Sequence, residues 1–177
     1  MEQKQALDRF LAGVEKKAFH MARIATGNED EALDIVQDAM LNLVKRYADR
    51  EEQEWGPLFH RILQSRIRDW YRRSQVRNRL RVWFGGNDED EDPLENQPGR
   101  VTDGPLPQLQ SVRFGDELEQ ALRALPNRQQ QAFLLRVWEG MSVEETAAAM
   151  GCSAGSVKTH YSRAVHTLRK QLEDFEP

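Results

Sequence analysis

Two stretches of this sequence concentrate the side chains that handle phosphate. From Arg61 to Arg81 there are eight arginines against the single acid Asp69, and between Lys158 and Lys170 there are four lysines and arginines with no acid. Cationic groups at this density neutralise a nucleic-acid backbone. The second interleaves Thr159 and Ser162 with its cations, and short hydroxyls beside long cations suit base edges and phosphates in a major groove. Between them lies the opposite chemistry, five consecutive acids from Asp88 to Asp92. The formal net charge of -4 averages over this segregation. The plainer alternative for any one block is a solvated face.

Other chemistries find no support. His20, His60, His160 and His166 show no metal-ligand spacing, and Cys152 has neither a disulfide partner nor a companion ligand. Gly85-Gly86 sits in an acidic context that repels phosphate, and no serine lies in a nucleophile-elbow pattern. The expectation is a protein that is not an enzyme and needs no cofactor and no metal. A lone cysteine fits a reducing compartment. No apolar run approaches the roughly 18–20 residues of a membrane span, and Met1–Leu7 lacks a basic start with an apolar sequel. A cytoplasmic protein without membrane insertion is expected.

The elements that must position these blocks are helices. Leu7, Phe10, Leu11, Val14, Ala18, Met21, Ala22 and Ala25 recur at helical spacing, and Gly27 supplies a stop. Asn28 with Glu31 predicts a cap for a second helix, which buries Ala32, Ile35, Val36, Ala39, Met40, Leu43 and Val44. A third helix is expected to open near Gly56-Pro57, with Leu58, Phe59, Ile62, Leu63, Ile67, Trp70 and Tyr71 on one stripe. Residues 84–114 break every period, with Gly85, Gly86, Pro93, Pro98, Gly99, Gly104, Pro105 and Pro107, and read as a flexible or extended linker. Leu118, Ala121, Leu122 and Leu125 start a second helical block. Asn127 is expected to cap its next helix, which runs through Trp138 to Gly140. Two layers of helix and no strand make the fold class all-α, in two domains.

The sharpest local pattern spans Ser142 to Arg169. Ser142-Val143-Glu144-Glu145 is a capping box, Gly151 permits a sharp turn, and Ser153 caps a last helix reaching about Leu172. Ala147, Ala148 and Ala149 allow close crossing by a second helix. At 100° per residue, Val157, Tyr161, Ala164, Val165, Leu168 and Leu172 fall on one side. Thr159, Ser162, Arg163, His166 and Lys170 fall on the other, with Ser156 and Lys158 flanking. This is the layout of a helix-turn-helix; a plain helical hairpin with a basic face is the alternative.

The segments Ala124-Leu125-Pro126-Asn127-Arg128-Gln129, Glu139-Gly140-Met141-Ser142-Val143-Glu144-Glu145-Thr146-Ala147 and Gly155-Ser156-Val157-Lys158-Thr159 resemble the sigma-four domain of bacterial RNA polymerase sigma factors. Asn28 to Met40 resembles the sigma-two helix that docks on the polymerase clamp. Trp55-Gly56-Pro57-Leu58-Phe59 through Ile67-Arg68-Asp69-Trp70-Tyr71-Arg72-Arg73 resembles the helix that melts the upstream edge of the bubble. Two such domains with only a linker between them are similar to the extracytoplasmic-function (ECF) group of the sigma-70 family. The resemblance implies a sigma-two bundle at 5–82, a linker at 83–114 and a sigma-four domain at 115–173.

It further implies a dissociable initiation factor that directs core polymerase to promoters with -35 and -10 elements and melts the -10 region. Its partners would be core RNA polymerase, through the beta-prime clamp and beta flap, promoter DNA, and an anti-sigma factor. Asp34, Gln37 and Asp38 would meet the polymerase. Trp55, Arg66, Arg68, Arg72 and Arg73 would meet -10 DNA, with Trp55 the aromatic freest to do so and Phe59 and Trp70 in the core. Ser156, Lys158, Thr159, Ser162 and Arg163 would read the -35 element. Asp88–Asp92 would either imitate a phosphate backbone in the polymerase cleft or serve as a solvated tether. A free-standing helix-turn-helix regulator that binds an operator without polymerase is the competing function.

Overall fold

The computed structural model describes residues 1–84 and 109–173, and every element among them is helical. The first three helices are α1 (Glu2–Thr26), α2 (Glu29–Tyr47) and α3 (Glu52–Phe84). The next two are α4 (Leu109–Ala124) and α5 (Asn127–Phe133), the latter continuing into a π-helical turn at Leu134–Trp138. The last two are α6 (Val143–Met150) and α7 (Ala154–Leu172). The acid run Asp88–Asp92 lies outside the described residues. On either side of the expected linker, α3 runs through Phe84 and α4 begins at Leu109.

Local chemistry sets most boundaries. Gly27 ends α1 in the left-handed region (φ 71°), where a side chain would be strained. Asn28 Oδ1 then accepts from the Glu31 N–H at 3.0 Å and starts α2. Ser142 and Glu145 form both halves of their capping box, at 3.0 and 2.8 Å, and Ser153 accepts from the Ser156 N–H at 3.1 Å. Each such cap contributes about 1 kcal/mol.

Three expected boundaries move. α3 opens at Glu52 rather than Gly56-Pro57, because Glu54 reaches back to the Glu51 N–H (3.1 Å) and caps the helix earlier. Pro57 therefore sits inside the helix. Asn127 is not a cap: Pro126 holds that position, and the Asn127 side chain makes no cap hydrogen bond. The helix expected to run through Trp138 instead changes hand-over at Leu134, where the Glu139 N–H bonds to the Leu134 carbonyl at 3.1 Å, the spacing of a π turn.

The core runs through both halves. Met21, Leu43, Trp55, Phe59, Leu63 and Ile67 fill the space between α1, α2 and α3. Leu125, Leu135, Met150, Val157, Ala164 and Leu168 do the same for the second group. α3 packs along α5 and α6, and α1 touches α4, so one long helix serves both groups. The seam is polar and specific. Gln131 Nε2 donates to the Gln64 carbonyl (3.1 Å), and both glutamines are buried. Arg23 Nη2 meets Glu119 Oε1 at 2.6 Å, His20 stacks on Trp138 at 6.0 Å, and His60 Nε2 lies 3.4 Å from Glu139 Oε2.

Candidate nucleic-acid interface

α7 is built to present one face. Its apolar side buries Val157, Ala164 and Leu168 against α5 and α6, with Tyr161 stacked on Phe133 at 6.2 Å. Of the three alanines in α6, Ala147 and Ala149 are buried, whereas Ala148 faces outward. Gly151 turns the chain at φ 68°. That packing leaves Lys158, Thr159, Ser162, Arg163 and His166 exposed together. Ser156 is different: its N–H and its hydroxyl are both engaged with Ser153, so it serves the cap. His160 beside this face is held below its ordinary value, first by burial and then by the charges of Arg128 and Arg163.

The arginine stretch on α3 is less uniform than its sequence. Arg66 is committed: its Nε lies 2.5 Å from Asp38 Oδ2 on α2, an ion contact without hydrogen-bond alignment, and Asp69 is 3.9 Å from its Nη1. Arg68 lies under the turn of the helix-turn-helix, with Nη2 3.7 Å from where a Gly151 side chain would begin. Burial first, then Arg128 and Arg72, disfavour its charge. Arg72 and Arg73 are exposed. Arg68, Arg72 and Arg128 line a cleft of about 380 Å³ together with Tyr71, Gln75 and Asn127. Sequence reading missed Arg128, because nothing local signals that α5 joins α3 there.

Trp55 requires a correction. It is fully buried, its indole N–H donates to the Tyr47 carbonyl at 2.9 Å, and its ring lies 5.9 Å from Phe10. With α3 starting at Glu52, Trp55 joins Phe59 and Leu63 at four-residue spacing on the core stripe. It therefore has no surface to offer DNA. Phe59 is buried and Trp70 half-buried, as expected.

A second surface lies on α2. Asp34, Gln37 and Asp38 are exposed, and beside them stand Leu33, Leu41 and Val44, exposed by 47%, 57% and 39%. Val44 had been expected in the core. Leu33, Gln37, Leu41 and Val44 recur at steps of four, four and three, which makes one solvent-facing stripe. Three apolar side chains thus stand in line on the solvent side of α2 beside Asp34, Gln37 and Asp38.

The sequence pattern described as "Sigma-70, region 4" matches residues 115–168, which contain this helix-turn-helix. An RNA polymerase sigma-E factor of Streptomyces antibioticus is 37% identical over 113 residues, 63% of this chain; the chain spans 61% of that relative's length. A sigma-E factor of Streptomyces coelicolor is 32% identical over 142 residues, covering 80% of this chain and 72% of the relative. The ECF RNA polymerase sigma factor EcfG of Rhodopseudomonas palustris is 31% identical over 157 residues, 86% of this chain and 80% of its own. The chain belongs to the ECF RNA polymerase sigma factors. The fold of this ECF family member also matches two solved structures, each at TM-score 0.65. One is the sigma factor RpoE in complex with the anti-sigma factor NepR from Bartonella quintana, at 24% identity over 94% of this chain and 96% of that one. The other is CnrH in complex with the cytosolic domain of CnrY, at 20% identity over 97% and 90%.

In this family member the seam carries a pH dependence. The Glu139 carboxyl is held below its ordinary value chiefly by the hydrogen bond with His60, with burial opposing and the charges of His60 and Lys17 adding. A lowered acid contributes stability above its unfolded value and loses it as pH falls through the folded value. Acidification below about pH 4.5 is therefore expected to weaken the α3–Glu139 contact. Trp138 emission should report the step, and Glu139→Gln should remove it. A step unchanged in that variant would place its origin elsewhere.

Proposed function

We propose that this chain is a dissociable initiation factor that binds core RNA polymerase, directs it to promoters with -35 and -10 elements and opens the -10 region. One observation carries the reading: two exposed surfaces of different chemistry stand on separate elements of one chain. α7 offers Lys158, Thr159, Ser162 and Arg163, whose donors suit major-groove edges and phosphates. α2 offers Leu33, Leu41 and Val44 rimmed by Asp34, Gln37 and Asp38, which suits a protein partner with apolar and arginine side chains. A free-standing regulator would instead use its N-terminal domain to dimerise or to sense a ligand.

In this reading residues 5–82 act as the polymerase-binding and melting part and 115–173 as the -35 reader. Arg72 and Arg73 take phosphates of the separated strands, joined by Arg68 and Arg66 once their present neighbours release them. The beta-prime clamp takes the α2 surface, and the beta flap takes the second helical group. The anti-sigma factor named with the similar Bartonella quintana structure supports a partner of that kind here. The chain then works in the cytoplasm, where polymerase and chromosome are.

Co-elution with core polymerase, followed by transcription from a pool of genomic fragments, tests the proposal. A complex that starts RNA at discrete sites supports it. No complex, together with tight DNA binding by the protein alone, would replace it with a free-standing regulator. Arg163→Ala is expected to lower promoter-specific transcription by roughly tenfold or more, with core binding unchanged. Equal loss of both would overturn the assignment of α7 to promoter reading.

A further inference from the structure

The last three turns of α3 carry a second unpartnered face. Val76, Leu80 and Trp83 are exposed by 53%, 51% and 81%. They recur at steps of four and three, the spacing of alternating d and a positions in a heptad. In that register Arg72 and Arg79 occupy g, Arg77 occupies e, Arg73 occupies the a position that precedes Val76, and no acid occurs from Trp70 to Phe84. All four arginines are exposed.

Charge and width select the occupant. A second copy of the chain would bring the like charges of Arg72 and Arg77 together across the seam, which disfavours self-pairing. Phosphate groups of DNA would satisfy the arginines but leave Val76 and Leu80 in water. A membrane surface calls for a broad apolar face. Here the apolar residues span only roughly 60° of the wheel, with Arg72, Arg73 and Arg79 at its margins, a narrow helix-pairing seam. We infer that α3 beyond Trp70 is a docking seam for an acidic amphipathic helix of a protein partner, with apolar residues at a and d and glutamate or aspartate at e and g. This inference is independent of the initiation-factor reading.

The full chain can be titrated with a synthetic three-heptad peptide carrying leucine at a and d and glutamate at e and g, with its lysine-flanked counterpart as control. Trp83 emission should shift to the blue with the acidic peptide and not with the basic one. Leu80→Glu should weaken binding about tenfold or more, and Trp83→Phe should remove the signal. The double variant Arg77→Glu, Arg79→Glu should exchange the preference toward the basic peptide. These side chains are exposed, so the variants should keep the parent's helical signal. Binding unaltered by Leu80→Glu, or no binding, would overturn the inference. Self-association in sedimentation that Leu80→Glu abolishes would replace the partner with a second copy. Stronger binding to vesicles containing anionic lipid than to the acidic peptide would replace it with a membrane.

Discussion

Trp55→Ala is expected to destabilise the protein by about 3–5 kcal/mol and to lower Tm by roughly 10 °C or more. The indole has no exposed surface and packs on Phe10 of α1, whose ring also meets Phe59 of α3 edge-on. Its N–H also donates to the Tyr47 carbonyl where α2 ends, so truncation leaves a cavity and removes this bond, while the carbonyl keeps the Arg50 N–H at 3.0 Å. Trp55→Phe keeps most of the volume and loses the hydrogen bond, at about 0.5–1.5 kcal/mol. Thermal unfolding measures both. A Trp55→Ala protein that melts like the parent but fails to open promoter DNA would return this residue to the DNA-binding surface.

Leu41→Glu is the second change with a large expected effect. Under the proposed function, Leu41 stands at the middle of the exposed α2 stripe and becomes buried when polymerase docks. A carboxylate there must be desolvated among apolar groups, and substitutions at the centre of an interface typically cost 2 kcal/mol or more. Affinity for core polymerase should fall by roughly thirtyfold or more, with the melting temperature within a degree or two of the parent because the site is exposed. Fluorescence anisotropy with labelled protein would measure it. Unchanged affinity would remove the stripe from the docking surface. The acids are a less clean probe, because Asp38 also holds Arg66, so its replacement disturbs two surfaces at once.

The pattern of success in reading the sequence follows the range of the interactions. Gly27, Asn28, Ser142 with Glu145, Gly151 and Ser153 act on neighbours within four residues, so their roles were legible before any fold was known. The exposed face of α7 was legible for the same reason, since a helix with known caps has a known phase. Trp55 was misplaced because the proline at 57 drew the helix start past it, although Trp55, Phe59 and Leu63 already stood at four-residue spacing. Leu33 and Leu41 were passed over because single apolar residues on a surface are ordinary. Their meaning comes from standing in line with Gln37 and Val44. The seam was out of reach: Gln64 and Gln131, or His60 and Glu139, are joined by packing that no local pattern encodes.

The π turn at Leu134–Trp138 has a consequence for how this chain tolerates changes in length. It takes up one more residue than an α-helical turn, so everything after it is rotated by about 100° relative to an uninterrupted helix. That rotation sets Trp138 against His20 and Glu139 against His60. Removing a single residue from this turn would restore ordinary helix and swing both side chains off the seam, while Gly140 and the helix-turn-helix beyond it kept their own geometry. A one-residue deletion here would act as a change of phase between the two halves and not as a change of content, the reverse of what the same deletion does in a surface loop.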